Sequence, residues 1–233
     1  MASRNQELTE AENEMAEKFW GFGRWDAPFW FIGPEPGGSP DRVRLDKWQD
    51  VFHKAELCDC REFHRAINEE RWHFKKPQPE LQKTWRRLIL FMQEIRGRST
   101  KRESLREYQV EKFGCRDGDS CVIELSGLNA EGFASARIGR GDRLLERRAK
   151  ALNERLNNTA LTQPEVVLMY SYSREPYWRT VVGGRVLERF GAAGYGKTVF
   201  AYAPSPTSPE AGSDQQWIDL GSAVKRKLAQ GWS

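Results

Sequence analysis

Four short apolar runs constrain this chain more than any other feature. They are PFWFI at residues 28–32, DSCVIELS at 119–126, EVVLMYS at 165–171 and TVFAY at 198–202. Each is too short for a helix and lacks strict polar alternation, so each reads as a strand buried on both faces. The stretches between them have a different rhythm. Residues 41–57 and 78–97 repeat their apolar side chains at helical spacing, with Leu81, Trp85, Leu88, Ile89 and Met92 on one face. A basic helix is expected over 141–157, and a closing helix carries Trp217, Ile218, Leu220 and Val224. At the other end, Thr9 and Glu12 have the spacing of a capping box, which predicts a helix over 6–20. Short apolar strands alternating with helices point to an α/β fold whose parallel sheet is covered on both faces.

At 233 residues and 39% hydrophobic composition, the chain can bury one sizeable core. The reading is a single domain over 1–233, with residues 1–25 as an N-terminal helical extension. No apolar run approaches the roughly 20 residues that cross a bilayer, and the N-terminus lacks a basic-then-apolar leader. The expectation is a monomeric, cytoplasmic protein with no membrane association.

The net charge of +4 is modest, but it is clustered. Lys83, Arg86, Arg87, Arg96, Arg98, Lys101, Arg102 and Arg106 face only Glu94 and Glu103 over residues 83–106. A second basic stretch runs from Arg137 to Arg155. Such clusters are either the footprint of a phosphate backbone or solvated helix faces. The four cysteines, Cys58, Cys60, Cys115 and Cys121, read as reduced thiols. His53, Cys58, Cys60 and His64 form a local group of metal-ligating types, but Cys-x-Cys is not the usual zinc spacing and no second pair answers it. The sequence reading therefore assigns no metal and no cofactor.

GAAGYGKT at 191–198 satisfies the phosphate-loop pattern letter for letter. That motif needs a strand before it and a helix after it. The flanks read the other way round, with VGGRVLERF as helix and TVFAYAP as strand, so the stretch is taken as a turn at a helix C-terminus.

In a parallel α/β sheet, ligands bind beyond the carboxyl ends of the strands. Two such ends carry distinctive chemistry. GPEPG at 33–37 holds a lone carboxylate, Glu35, in a turn lined by proline and glycine, and APSPTS at 203–208 follows the last strand. Together they resemble the two signature motifs of the uracil-DNA glycosylase superfamily. The first of these runs glycine, any residue, then Asp, Asn or Ala, then proline, then Tyr or Gly; the second is His-Pro-Ser-Pro. Gly33 and Pro36 match the first motif, and Glu35 falls where the family carries its catalytic Asp or Asn. Pro204, Ser205 and Pro206 match the second, while Ala203 stands at the histidine position. The likeness extends weakly over residues 27–229.

This resemblance implies a three-layer α/β/α sandwich with a central four-stranded parallel sheet, and a base-flipping activity on double-stranded DNA. Breaking an N-glycosidic bond builds oxocarbenium-like charge on the sugar and negative charge on the departing base. A carboxylate at Glu35 would stabilise that cation and orient water; the alternative is a helix N-cap. The base pocket would comprise Gly33, Pro34, Gly37, Trp48, Glu124 and Ala203, with Trp48 stacking on the base. Ser39, Ser171, Ser173, Arg174 and Ser205 would hold DNA phosphates, and Tyr172, Tyr177 or Trp178 would fill the gap in the duplex.

Three departures bear on the substrate. Ala203 removes the group that stabilises the uracil oxygen in the family, and Gly37 leaves room where a tyrosine can exclude C5 substituents. Glu124 takes a position where many members place an asparagine, and an ionised carboxylate accepts from an amino group such as cytosine N4. An ion pair to a nearby arginine is the other role open to Glu124. The reading is a monofunctional DNA glycosylase acting on a C5-enlarged cytosine, such as glucosylated hydroxymethylcytosine of phage DNA, and so serving antiviral defence. No lysine near the motifs suits a Schiff-base lyase step. The alternatives are a uracil glycosylase of base-excision repair or a non-catalytic DNA-binding protein of the same fold.

Overall fold

A computed structural model of the chain describes residues 8–34, 42–128, 140–185 and 187–230. Four of its strands are those read from the sequence: β2 (Phe29–Gly33), β4 (Ser120–Glu124), β5 (Val166–Tyr170) and β7 (Thr198–Ala203). They are mutually parallel neighbours. The sheet itself is larger than expected. Three further strands, β1 (Gly21–Phe22), β3 (Leu57–Cys58) and β6 (Gly191–Tyr195), extend it to seven in the order β3-β1-β4-β2-β5-β7-β6. β1 runs antiparallel to β4, and β6 antiparallel to β7. The expected four-stranded parallel sheet is therefore the middle of a mixed seven-stranded one. The added strands escape a sequence reading because two are only two residues long and the third, GAAGY, has no apolar pattern.

Eight α-helices accompany the sheet among the described residues: α1 (Glu10–Lys18), α2 (Arg42–Asp50), α3 (Cys60–Ala66), α4 (Lys83–Arg96), α5 (Arg102–Glu111), α6 (Arg140–Asn157), α7 (Glu175–Val181) and α8 (Asp214–Ala229). Alternate strand residues divide between two cores, as the two-residue period of a strand requires. Phe29, Phe31, Val122, Leu168 and Ala201 join Leu88, Phe91 and Trp217 of α4 and α8. Trp30, Ile32, Ile123, Met169 and Phe200 join Leu145, Leu152 and Trp178 of α6 and α7. Helices thus cover both faces.

The capping box expected at Thr9 is present, with the Glu12 amide donating to Thr9 Oγ1 at 3.2 Å and the Thr9 amide to Glu12 Oε2 at 2.7 Å. Residues 1–25, taken as an extension, are partly built into the fold. Gly21 and Phe22 add a strand, and Phe19 and Phe22 sit in the core.

The phosphate-loop match is a hairpin. Tyr195 pairs with Thr198 across a two-residue turn at Gly196–Lys197, with Gly196 at φ 60°. A strand both enters and leaves this turn, so no helix N-terminus is available to a phosphate. The segment before it is not helical either: α7 ends at Val181, followed by Gly183 and Gly184 at positive φ.

Candidate active site

The sheet order has a point at which the connections reverse direction. β2 leads across to β4 on one side, and β5 leads to β7 on the other, so the adjacent strands β2 and β5 part at their carboxyl ends. Ligands of open α/β sheets bind at such a point. The strand register brings four ends into one row. Glu124 closes β4 beside Gly33, which closes β2; Tyr170 closes β5 beside Ala203, which closes β7. The row continues past β4, where the Leu125 amide donates to the Gly33 carbonyl at 2.8 Å and the Ser126 amide to that of Pro34 at 2.9 Å.

Gly33 has a structural reason to be glycine. A Cβ there would lie 2.1 Å from Tyr170 Oη and 2.4 Å from its Cζ. Tyr170 is thus pressed across the β2 terminus, a contact the sequence did not announce. A tyrosine closing an otherwise aliphatic strand is the signal that could have found it.

Ser171 is held at φ 85°, ψ 103°, a costly backbone for a residue with a side chain. The surroundings hold it there. Its amide donates to the Ala203 carbonyl at 3.1 Å, its carbonyl accepts from Trp178 Nε1 at 2.9 Å, and its hydroxyl lies 3.0 Å from that of Ser173. Ser173 is exposed and Arg174 half-buried. This strained corner carries a hydroxyl pair and, at Arg174, a guanidinium just past the end of β5.

The loop after β7 is fixed by α4. Arg87 on α4 donates from its guanidinium to the Pro206 carbonyl and, at 2.8 Å, to that of Gly212. Arg86 grips both oxygens of the Asp214 carboxylate. Within the loop the Ser205 carbonyl accepts from the amide and the hydroxyl of Ser208, each at 3.0 Å.

Glu124 is 7% exposed. Its carbonyl accepts from Arg148 Nη2 at 2.9 Å, and its amide donates to the Trp20 carbonyl at 2.8 Å. The same Arg148, 3% exposed, also donates to the carbonyls of Ala16, Glu17 and Phe19 and lies 3.7 Å above the Trp20 ring. Burial pushes its guanidinium down to about 9, opposed by Glu124, Glu56 and Glu17. This part of the second basic stretch is a buried strut, not a phosphate footprint. Arg155 likewise lies over Trp25 at 4.1 Å, and Arg147 pairs with Glu17 at 2.7 Å.

Of the residues proposed for the site, Gly33, Pro34, Glu124, Ser171, Ser173, Arg174, Ala203 and Ser205 lie on the strand ends or on the turns leaving them. Glu35, Gly37 and Ser39 lie outside the described residues. Trp48 does not join the row as a stacking platform. It is fully buried on α2, with its indole N–H donating to the Ala55 carbonyl at 2.9 Å, so both faces serve the core. Trp178, offered as a filler of the duplex gap, is also buried and bonded to Ser171. Tyr172 stacks edge-on with Tyr202 and lies 4.4 Å from the Arg189 guanidinium.

Searches against family models and curated protein sequences find no significant match for the chain. Among the described residues, no helix is long and apolar enough to cross a membrane.

Proposed function

We propose that this chain is a DNA glycosylase: it flips a base from the duplex and hydrolyses the N-glycosidic bond, leaving an abasic site. The substrate we propose is a cytosine enlarged at C5, of the kind found as glucosylated hydroxymethylcytosine in phage DNA. The observation that carries this reading is the row of strand ends. Both motifs begin where a strand ends within that row, one at Gly33 and the other at Ala203, on either side of Tyr170. Glu35 follows Gly33 by two residues and is the proposed stabiliser of the sugar cation. Glu124, in register with Gly33, would accept from the exocyclic amino group of the base. Ala203, at zero exposure, supplies no polar group to a uracil oxygen. The Ser171–Ser173–Arg174 corner would take the phosphates next to the flipped nucleotide. Plain uracil and binding without chemistry are the outcomes the test must separate.

The test is incubation of the purified protein with glucosylated hydroxymethylcytosine DNA, uracil DNA and unmodified duplex, counting abasic sites by alkaline strand cleavage. Sites confined to the modified DNA and lost in Glu35→Gln are expected. Cleavage of uracil DNA alone would remove the cytosine argument. Duplex binding with no abasic sites on any substrate would overturn the enzymatic reading.

A further inference from the structure

The local metal-ligating types in the sequence grouped His53 and Cys58 with Cys60 and His64. The fold sorts them differently. His53 is exposed, while Cys58 is buried in the main core. In their place His73, nine residues beyond His64, turns back toward the helix.

Cys60 opens α3 and His64 lies one helical turn on, so both side chains share a face. A short 3-10 turn at Glu70–Trp72 then delivers His73 to the same face. Cys60 Sγ lies 3.5 Å from His64 Nδ1 and 3.8 Å from His73 Nε2. The three residues are buried, and one donor atom from each lies within 4.8 Å of the others. A tetrahedral zinc ion with bonds of about 2.3 Å to sulfur and 2.0–2.1 Å to nitrogen needs sulfur–nitrogen separations of roughly 3.5 Å. The separation between Cys60 Sγ and His73 Nε2 is close to that before any ion draws the groups together.

The tautomer of His64 is also set. Its Nδ1 lies 2.7 Å from the Cys60 carbonyl, which can only accept, so Nδ1 carries the proton and Nε2 keeps its lone pair. Metal-bound histidines are held by their second nitrogen in this way. The surroundings are aromatic: Phe22 packs 5.6 Å from the His64 ring, and Trp85 lies 5.5 Å from His64 and 5.8 Å from His73. Burial pushes His64 down to about 3 and His73 to about 4. Asp59, beside Cys60, is already engaged by the amides of Glu62 and Arg116 at 3.0 and 2.8 Å.

We propose that Cys60, His64 and His73 form a zinc site, with the fourth position taken by water or an external ligand. On binding, the Cys60 thiol loses its proton to solvent and the thiolate and two neutral imidazoles donate lone pairs to the ion. The ion ties α3 and the edge strand β3 before it to the 70–73 segment. This site is independent of the glycosylase reading and replaces the expectation that the chain holds no metal.

The experiment uses the whole chain, stripped with a chelator and titrated with Co²⁺ as a spectroscopic probe, then with Zn²⁺ in competition. One ion per chain, a thiolate-to-cobalt charge-transfer band and a rise in Tm on metal addition are expected. Cys60→Ser should abolish the band and weaken binding at least tenfold, while Cys58→Ser and His53→Ala leave both unchanged. X-ray absorption of the zinc-loaded natural sequence requires no variant to fold; it should show one sulfur at about 2.3 Å among nitrogen neighbours at about 2.0–2.1 Å. Absence of stoichiometric binding by the folded protein, or a zinc shell of nitrogen and oxygen alone, overturns the proposal.

Discussion

On α4, Arg86 and Arg87 reach across to the chain that follows β7; on α6, Arg148 turns inward and vanishes from the surface. In the sequence all three arginines sit in clusters of like charge and look alike. The fold gives them opposite solvent. The Arg86 side chain keeps 29% of its exposure and its partner Asp214 46%, so water still screens the pair. Arg148 keeps 3% and has exchanged its water for four backbone carbonyls. Three of these, from Ala16, Glu17 and Phe19, come from the end of α1, where carbonyls lack helical partners and carry the negative end of the helix dipole. A guanidinium presents five N–H donors in a rigid fork, so one side chain can serve carbonyls from two elements at once. Each guanidinium carries the same single charge. What the charge is worth is decided by what replaces its water.

The largest expected effect tests the buried side of this contrast. Arg148→Met leaves the α1 carbonyls and that of Glu124 without donors and should cost about 3–5 kcal/mol in urea unfolding. A loss under about 1 kcal/mol would mean that water reaches those carbonyls and that the two arginines do not differ as described.

A middle effect falls on Arg87, whose side chain is 17% exposed. Arg87→Ala removes donors from Pro206 and Gly212 and should cost about 1–2 kcal/mol. Proteolysis between 204 and 213 should speed up in the same variant. An unchanged cleavage rate there would show that the turn after β7 holds its shape without α4.

The smallest effect belongs to the screened pair. Arg86 holds the Asp214 carboxyl below its ordinary value of 3.8. The folded pKa is therefore lower than the unfolded one, so the stabilisation is present above about 3.8 and is lost as pH falls through the folded value. The stability difference between the natural sequence and Asp214→Asn should be level from about pH 7 to 5 and shrink toward zero below about pH 4. A difference that peaked at neutral pH and fell by pH 6 would assign the effect to another group.

Much of the architecture could be read in advance, for reasons that lie in single segments. PFWFI, SCVIE, VVLMY and TVFAY became strands because apolar runs this short satisfy their backbone only by pairing. Thr9 and Glu12 capped α1 because that reciprocal bond involves four consecutive residues. The hairpin at Gly196 was misread as a helix end, since GAAGY owes its strand state to pairing with β7 rather than to its own side chains. The four long strands lie where the sequence places them, yet two aromatic residues proposed to work at their ends, Trp48 and Trp178, are core. A sequence does not say which of nine tryptophans faces outward. Local spacing likewise paired Cys60 with His53 and Cys58 and missed His73, which reaches it only through a 3-10 turn.

The amino-acid order alone determined what depends on periodicity and near neighbours: the strands, the long helices, the cap and the positions of the two motifs. Tertiary structure decided what depends on desolvation and on the meeting of distant segments. Tyr170 excludes any side chain at residue 33 because β5 lies against β2. Arg148 became a strut, and Cys60 met His73, because burial and chain crossing set the partners of a polar group, and neither is a property of the residue itself.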